Sequence, residues 1–218
     1  MVKTQKYVFL QAFLVAAFLF SLGMLIGAII ENLRASSVDE LYLESQISLT
    51  DLRLKSDILS NSDFNCEKAI KENIDFANRI YSEALSLEKY DDSSKISNKL
   101  KIAHKRYDIL RTLLWFNNIK IKEKCLGDFH TVVYFYDYLE PQIKQKATQN
   151  VISRVLLDLK NQRQEEIILI PIAADLDIYS LDLMMATYNI TELPTVLIDE
   201  KIKLTKLDEI KDINKYLT

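Results

Sequence analysis

The sequence predicts an α+β protein: an N-terminal transmembrane helix and a helical stalk and hairpin, followed by an α/β domain of order β-α-β-α-β-β-α. Three observations carry this. Residues 7–30, YVFLQAFLVAAFLFSLGMLIGAII, contain no charge. Residues 35–124 repeat apolar side chains at helical spacing. Beyond them, apolar β-branched runs are separated by amphipathic stretches, as strands joined through helices require. The expected boundaries are a cytoplasmic tail at 1–6, an anchor at 7–30, the stalk and hairpin at 31–125 and the α/β domain at 126–218.

Composition agrees. Of 218 residues, 49% are hydrophobic and 27% charged, which suits a folded chain. The net charge is −3 and no basic cluster is visible, so nucleic acid is not an expected partner. Glycine and proline number only 3 each, and long helices with few turns should follow.

The first element is the membrane helix. Twenty-four helical residues span roughly 36 Å, enough for a hydrocarbon core of about 30 Å. A signal-peptide core is shorter, and Ala35-Ser36 is a poor cleavage site, so an uncleaved anchor in the lipid bilayer is expected. Lys3, Lys6 and the amino group precede the span, while Glu31, Arg34, Asp39, Glu40 and Glu44 follow it. The positive-inside rule then gives a single-pass cell-membrane protein with a cytoplasmic N-terminus and an extracytoplasmic C-terminal domain. Gly23 and Gly27 form a GxxxG, with Ala12 and Ala16 continuing small residues toward a similar face. Such a seam suits a homodimer through the membrane helix, although small residues are also common in membrane helices generally.

Three helices follow. Apolar positions recur from Val38 to Leu59, from Ile70 to Leu85 and from Ile96 to Leu114. Ser60-Asn61-Ser62-Asp63 and Tyr90-Asp91-Asp92-Ser93-Ser94 are the breaks, rich in capping residues. No proline or glycine interrupts 31–59, so the first helix should continue from the span as a stalk. The second and third should pack as an antiparallel pair. Trp115 and Phe116 are expected to end the third, with Trp115 a core anchor against the next domain rather than a ligand contact. His104 has no second histidine nearby on its helix, so it is not expected to hold a metal.

Cys66 opens the second helix and Cys125 follows the third. An up–down pair brings the start of one helix near the end of the next, and an extracytoplasmic location favours bridging. A structural disulfide is therefore expected. Two independent buried thiols and a redox-active pair are the alternatives.

In the last segment, HTVVYFY at 130–136 reads as a strand. Pro141 suits a first helical turn, and 141–162 is an amphipathic helix. Residues 166–174 read as a strand buried on both faces, in which Pro171 implies a bulge or an exposed edge. A short helix at 180–188, strands at 195–198 and 201–205 around Asp199-Glu200, and a helix at 207–217 complete the order.

This order, with Tyr188-Asn189-Ile190 leading to Leu193-Pro194-Thr195 and an apolar strand, resembles the thioredoxin-like superfamily over residues 128–218. Asp175–Asp177 sits where that superfamily carries acidic residues after its second strand. The whole layout, anchor first, is similar to a group of uncharacterised archaeal membrane-anchored proteins with a thioredoxin-like end. The resemblance implies a cis Pro194 and a peptide-docking loop at Leu193, Pro194 and Thr195. It departs at the expected Cys-x-x-Cys. Residues 137–146, DYLEPQIKQK, hold no thiol; Asp137 and Glu140 place negative charge at a helix start instead. The usual glycine of the late hairpin is also missing, so the turn at Asp199-Glu200-Lys201 must be built differently. Asn189-Ile190-Thr191 is a glycosylation sequon.

These readings imply a membrane-anchored, non-catalytic thioredoxin-like module for extracytoplasmic protein binding or folding, with an extended peptide or protein as partner at the Pro194 loop. One alternative is a thiol-disulfide oxidoreductase using Cys66 and Cys125. Another is a structural membrane subunit oligomerising through its anchor. No cofactor or metal is expected: no nucleotide-binding loop, metal-ligand cluster or Ser/His/Asp set stands out.

Overall fold

The structure is a computed structural model and describes residues 2–61, 63–88, 98–125, 127, 129–139, 141–207 and 209–217. The expected turn at Tyr90–Ser94 and the charge at Glu140 lie outside the described residues. The chain is α+β, with a four-stranded mixed sheet. It divides into two compact units, Met1–Leu41 and Tyr42–Thr218.

The first unit belongs to α1 (Val2–Asn61). Within it, Tyr7–Glu31 has a mean hydropathy of 2.6 over 25 residues and is long and apolar enough to cross a membrane. None of that window is buried.

The second unit begins with the end of α1, followed by α2 (Cys66–Glu88) and α3 (Asn98–Lys124). The Asn65 side chain starts α2 by accepting the Lys68 N–H at 2.9 Å. The end of α1 is more than a stalk, because it packs on the hairpin. Leu52 and Leu59 are buried there, and Lys124 Nζ donates to the Leu59 carbonyl at 2.6 Å. That carbonyl lies in the last turn of α1, where backbone acceptors lack helical partners and a cation is favoured. Lys120 Nζ reaches the Ser56 hydroxyl at 2.8 Å.

α3 runs on to Lys124 and does not end at Trp115-Phe116. It is covered on several sides, so it buries His104, Asp108, Arg111, Thr112, Asn117 and Asn118 beside its apolar residues. Asp108 and Arg111 pair at 2.9 Å, and the Asn73 amide donates to Asn118.

The sheet contains β1 (His130–Tyr136), β2 (Ile167–Ala173), β3 (Thr195–Ile198) and β4 (Ile202–Leu204), in spatial order β2-β1-β3-β4. β1 and β2 are parallel, and β3 lies antiparallel to both β1 and β4. Strand alternation sends Val132, Tyr134, Val196 and Ile198 to one face. There they pack with Ile152, Leu156 and Leu159 of α4 (Ile143–Arg163) and with Leu207, Ile213 and Leu217. Val133, Phe135 and Leu197 take the opposite face, where Trp115 of α3 meets Phe135 edge-on at 5.6 Å. Pro171 sits in edge strand β2, opposite Tyr134 in continuous register, so it needs no bulge.

Several boundaries differ from the sequence reading, and β2 and β4 are each one residue shorter at both ends than 166–174 and 201–205. α4 starts at Ile143, after Pro141, because Gln142 takes the cap position and its N–H meets Gln145 Oε1 at 3.4 Å. A short helix, α5 (Tyr179–Thr187), is displaced by one residue from 180–188. The last helix, α6 (Lys211–Asn214), is a single turn instead of 207–217. Its flanks close by bonds three residues apart, such as Tyr216 N–H to Ile213 and Leu217 N–H to Asn214, which tighten the chain out of the α form.

Candidate functional site

The Pro194 loop stands where α5 returns to the sheet. Asn189 closes α5 with φ 51°, a left-handed conformation that asparagine tolerates better than most residues. The Ile190 N–H then bonds the Met185 carbonyl at 2.9 Å. Lys203 Nζ holds the Tyr188 and Asn189 carbonyls at 3.0 and 3.2 Å. The Leu193–Pro194 bond is cis. Leu193 is half-buried, while Pro194 and Thr195 are buried. Thr195 Oγ1 donates to the Glu192 carbonyl at 2.6 Å, and Thr195 pairs with Phe135 near the end of β1. Leu193, Pro194 and Thr195 therefore form one ordered loop.

The β1–α4 connection lies beside it, held by three side chains. Gln149 accepts the Asp137 N–H at 3.2 Å and donates to the Asp137 carbonyl at 2.9 Å. Asp175 accepts the N–H groups of Tyr138 and Leu139 at 3.0 and 2.6 Å. Gln145 Nε2 contacts both the Asp137 carboxylate and, at 3.4 Å, the Leu193 carbonyl. Burial, with the nearby Asp175 charge, pushes the Asp137 carboxyl up. The side chains that hold the connection in these contacts are two amides and a carboxylate. Gln145 and Gln149 escaped the sequence reading, and Asp175 entered it only as part of the acidic stretch 175–177, with no clamping role. The signal for Gln145 was a glutamine three residues into a helix, and Gln149 carried none.

Cys66 and Cys125 form a disulfide, with their Cα atoms 5.7 Å apart. The structure does not bring it to Pro194. Cys125 leads into His130, the first residue of β1, and the Pro194 loop joins at Phe135, near the other end. Six residues of strand separate the ends of β1 by about 20 Å.

At the disulfide end, Asp199 and Glu200 form the β3–β4 turn with φ 46° and 59°. With Lys201 they make a three-residue connection, closed by the Lys201 N–H on the Ile198 carbonyl at 3.0 Å, and two successive positive φ values are a geometry that glycine usually supplies. Here polar contacts hold it. Asp199 meets His130 Nδ1 at 2.6 Å, accepts the Thr131 N–H at 2.9 Å and pairs with Lys122 of α3. Burial alone would raise the Asp199 carboxyl, but the His130, Lys122 and Thr131 bonds outweigh it and hold it below its usual range. Glu200 accepts the Trp115 indole N–H at 2.9 Å, and burial pushes its carboxyl up. Trp115 also lies 5.2 Å from the Tyr188 ring, so it anchors α3 to the sheet as expected.

A cleft of about 730 Å³ opens between the hairpin, the β1–α4 connection and α4. Tyr136, Tyr138, His104, Lys146 and Arg154 contribute to its walls. His104 is buried and lies 4.3 Å from the Tyr138 ring. Among the described residues, no group of three or more His, Cys, Asp and Glu converges as a metal site. Gly23 and Gly27 sit in α1 with open space where a Cβ would be. No family model matches the chain, and no curated protein matches it in sequence.

Proposed function

We propose that this chain is a membrane-anchored, non-catalytic thioredoxin-like module that binds extended polypeptide outside the cytoplasmic membrane. The observation that carries the reading is the Leu193-Pro194-Thr195 loop, joined to the end of β1 through Thr195 and set far along that strand from the two cysteines of the chain. The β2-β1-β3-β4 order supports the thioredoxin-like assignment. Main-chain pairing beside such a loop needs no thiol. Among the described residues the Leu193 carbonyl has a long 3.4 Å contact from Gln145, which a bound strand can displace. The apolar helix supplies the anchor, and the charges around it put the C-terminal domain outside. Thiol exchange through Cys66 and Cys125 is the weaker reading, because it lacks a docking loop beside the sulfurs.

The test uses the full chain in lipid vesicles and a library of fluorescent unfolded peptides. Binding should weaken several-fold in Pro194→Ala and persist in the Cys66→Ser/Cys125→Ser variant under conditions where it remains folded. Disulfide exchange with a model substrate that disappears in the cysteine variant, without Pro194-dependent binding, would overturn the proposal.

A further inference from the structure

We propose that Asn189 is an N-glycosylation site, taking a saccharide from a polyprenyl-phosphate carrier on the outer side of the membrane. Asn189 is the only asparagine in the sequence with Ser or Thr two residues later, and neither Ile190 nor Glu192 is proline. A three-residue signal arises often by chance, so its setting in the fold decides whether it can be used. Asn189 and Thr191, which carry the acceptor amide and the hydroxyl of the signal, are both exposed just past the end of α5. Ile190 between them is 7% exposed and ties the turn to the core. The contacts that shape the turn run through its backbone. The Asn189 N–H bonds the Ala186 carbonyl at 3.1 Å, the Ile190 N–H bonds Met185, and Lys203 holds the Asn189 carbonyl. Among the described residues, no hydrogen bond engages the Asn189 amide group or the Thr191 hydroxyl. A bulky, hydrated group can therefore extend from Asn189 into solvent without loss of a buried contact. Asn73, Asn117 and Asn118 are the opposite case: they are 0% exposed inside the helical hairpin.

The transfer balances without a redox partner. Asn189 Nδ2 forms a bond to the anomeric carbon of the carrier-bound saccharide. The bond from that carbon to the phosphate oxygen breaks, and the lipid phosphate leaves with the electron pair. One proton of the amide nitrogen passes to a base of the membrane transferase. Buried Ile190 and the bonded backbone fix the segment in a turn, so the transferase meets it most readily as the chain enters, before the turn docks. The inference rests on the extracytoplasmic placement of the domain, which the anchor and its flanking charges support, and not on peptide binding at Pro194.

The test is synthesis of the full chain in the presence of endoplasmic-reticulum microsomes, which hold such a transferase and its lipid-linked donor on the side that receives translocated domains. The wild-type chain should show a single upward shift on a denaturing gel, reversed by an endoglycosidase that cleaves N-linked glycans. The shift should vanish in Asn189→Gln and in Thr191→Ala and persist in Thr191→Ser. Asp63→Thr in the Asn189→Gln background completes a sequon at exposed Asn61 and reads the location of the domain separately. A shift in that variant with none in wild type puts the domain on the transferase side and overturns Asn189 as acceptor. No shift in either overturns the extracytoplasmic placement and the inference with it. A wild-type shift that survives Asn189→Gln overturns the assignment to this residue.

Discussion

The Asp199-Glu200 turn shows how single residues settle a conformation that their backbone disfavours. Each left-handed non-glycine residue costs of order 1 kcal/mol or more, and the bonds from His130, Lys122, Thr131 and Trp115 offset that cost. Asp199→Ala should destabilise the domain by about 2 kcal/mol, the usual scale for hydrogen bonds to a charged group, read as a lower urea midpoint. The two carboxyls titrate with opposite signs. Asp199 has a folded pKa below its unfolded value, so its contribution is present above about pH 4 and is lost as pH falls through the folded pKa. Glu200 has a folded pKa above its unfolded value, so its contribution is present at low pH and is lost as pH rises through the folded pKa. Urea midpoints against pH should therefore show a shallower acid decline in Asp199→Asn than in wild type, and a shallower decline toward neutral pH in Glu200→Gln.

At the scale of elements, the disulfide closes the α2–α3 hairpin across a separation of 59 residues. Reduction should lower stability by about 4 kcal/mol in the chain-entropy view, measured by urea unfolding with and without reductant. Trp115 is the other fastening: it is fully buried, and Trp115→Ala should cost about 3–5 kcal/mol by the same measurement. Most elements were legible in the sequence because local signals agreed with the fold. The β-branched run at 130–136 became β1 without change, and Cys66 opens α2 as read. Where tertiary contact overrode local pattern, the sequence misled. α3 continues past Trp115 because the end of α1 and the sheet cover it, and the last helix shrank to one turn because its chain tightens around Ile213. Of the candidate site, Leu193-Pro194-Thr195 was singled out through the thioredoxin-like resemblance. The clamp by Gln145, Gln149 and Asp175 was not, since glutamine and aspartate contacts across 12 and 37 residues leave no periodic trace.

For the whole molecule, the division at Leu41 has a direct consequence. Removal of residues 1–41 should leave a folded domain that keeps its Cys66–Cys125 bond and its near-ultraviolet dichroism. A truncated chain with the dichroism of an unfolded polypeptide would show that the first unit is needed for folding. The same truncation should abolish vesicle flotation if Tyr7–Glu31 is the anchor.

Among the described residues, five non-glycine residues with positive φ, Gln164, Asp177, Asn189, Asp199 and Glu200, also offer a route to a hardier protein. A chain with 3 glycines has assigned to polar side chains a task that glycine performs without steric penalty. Gln164 and Asp177 have few side-chain duties, unlike Asp199. Gln164→Gly and Asp177→Gly are accordingly the substitutions with which to begin raising its melting temperature, at positions remote from the Pro194 loop in sequence.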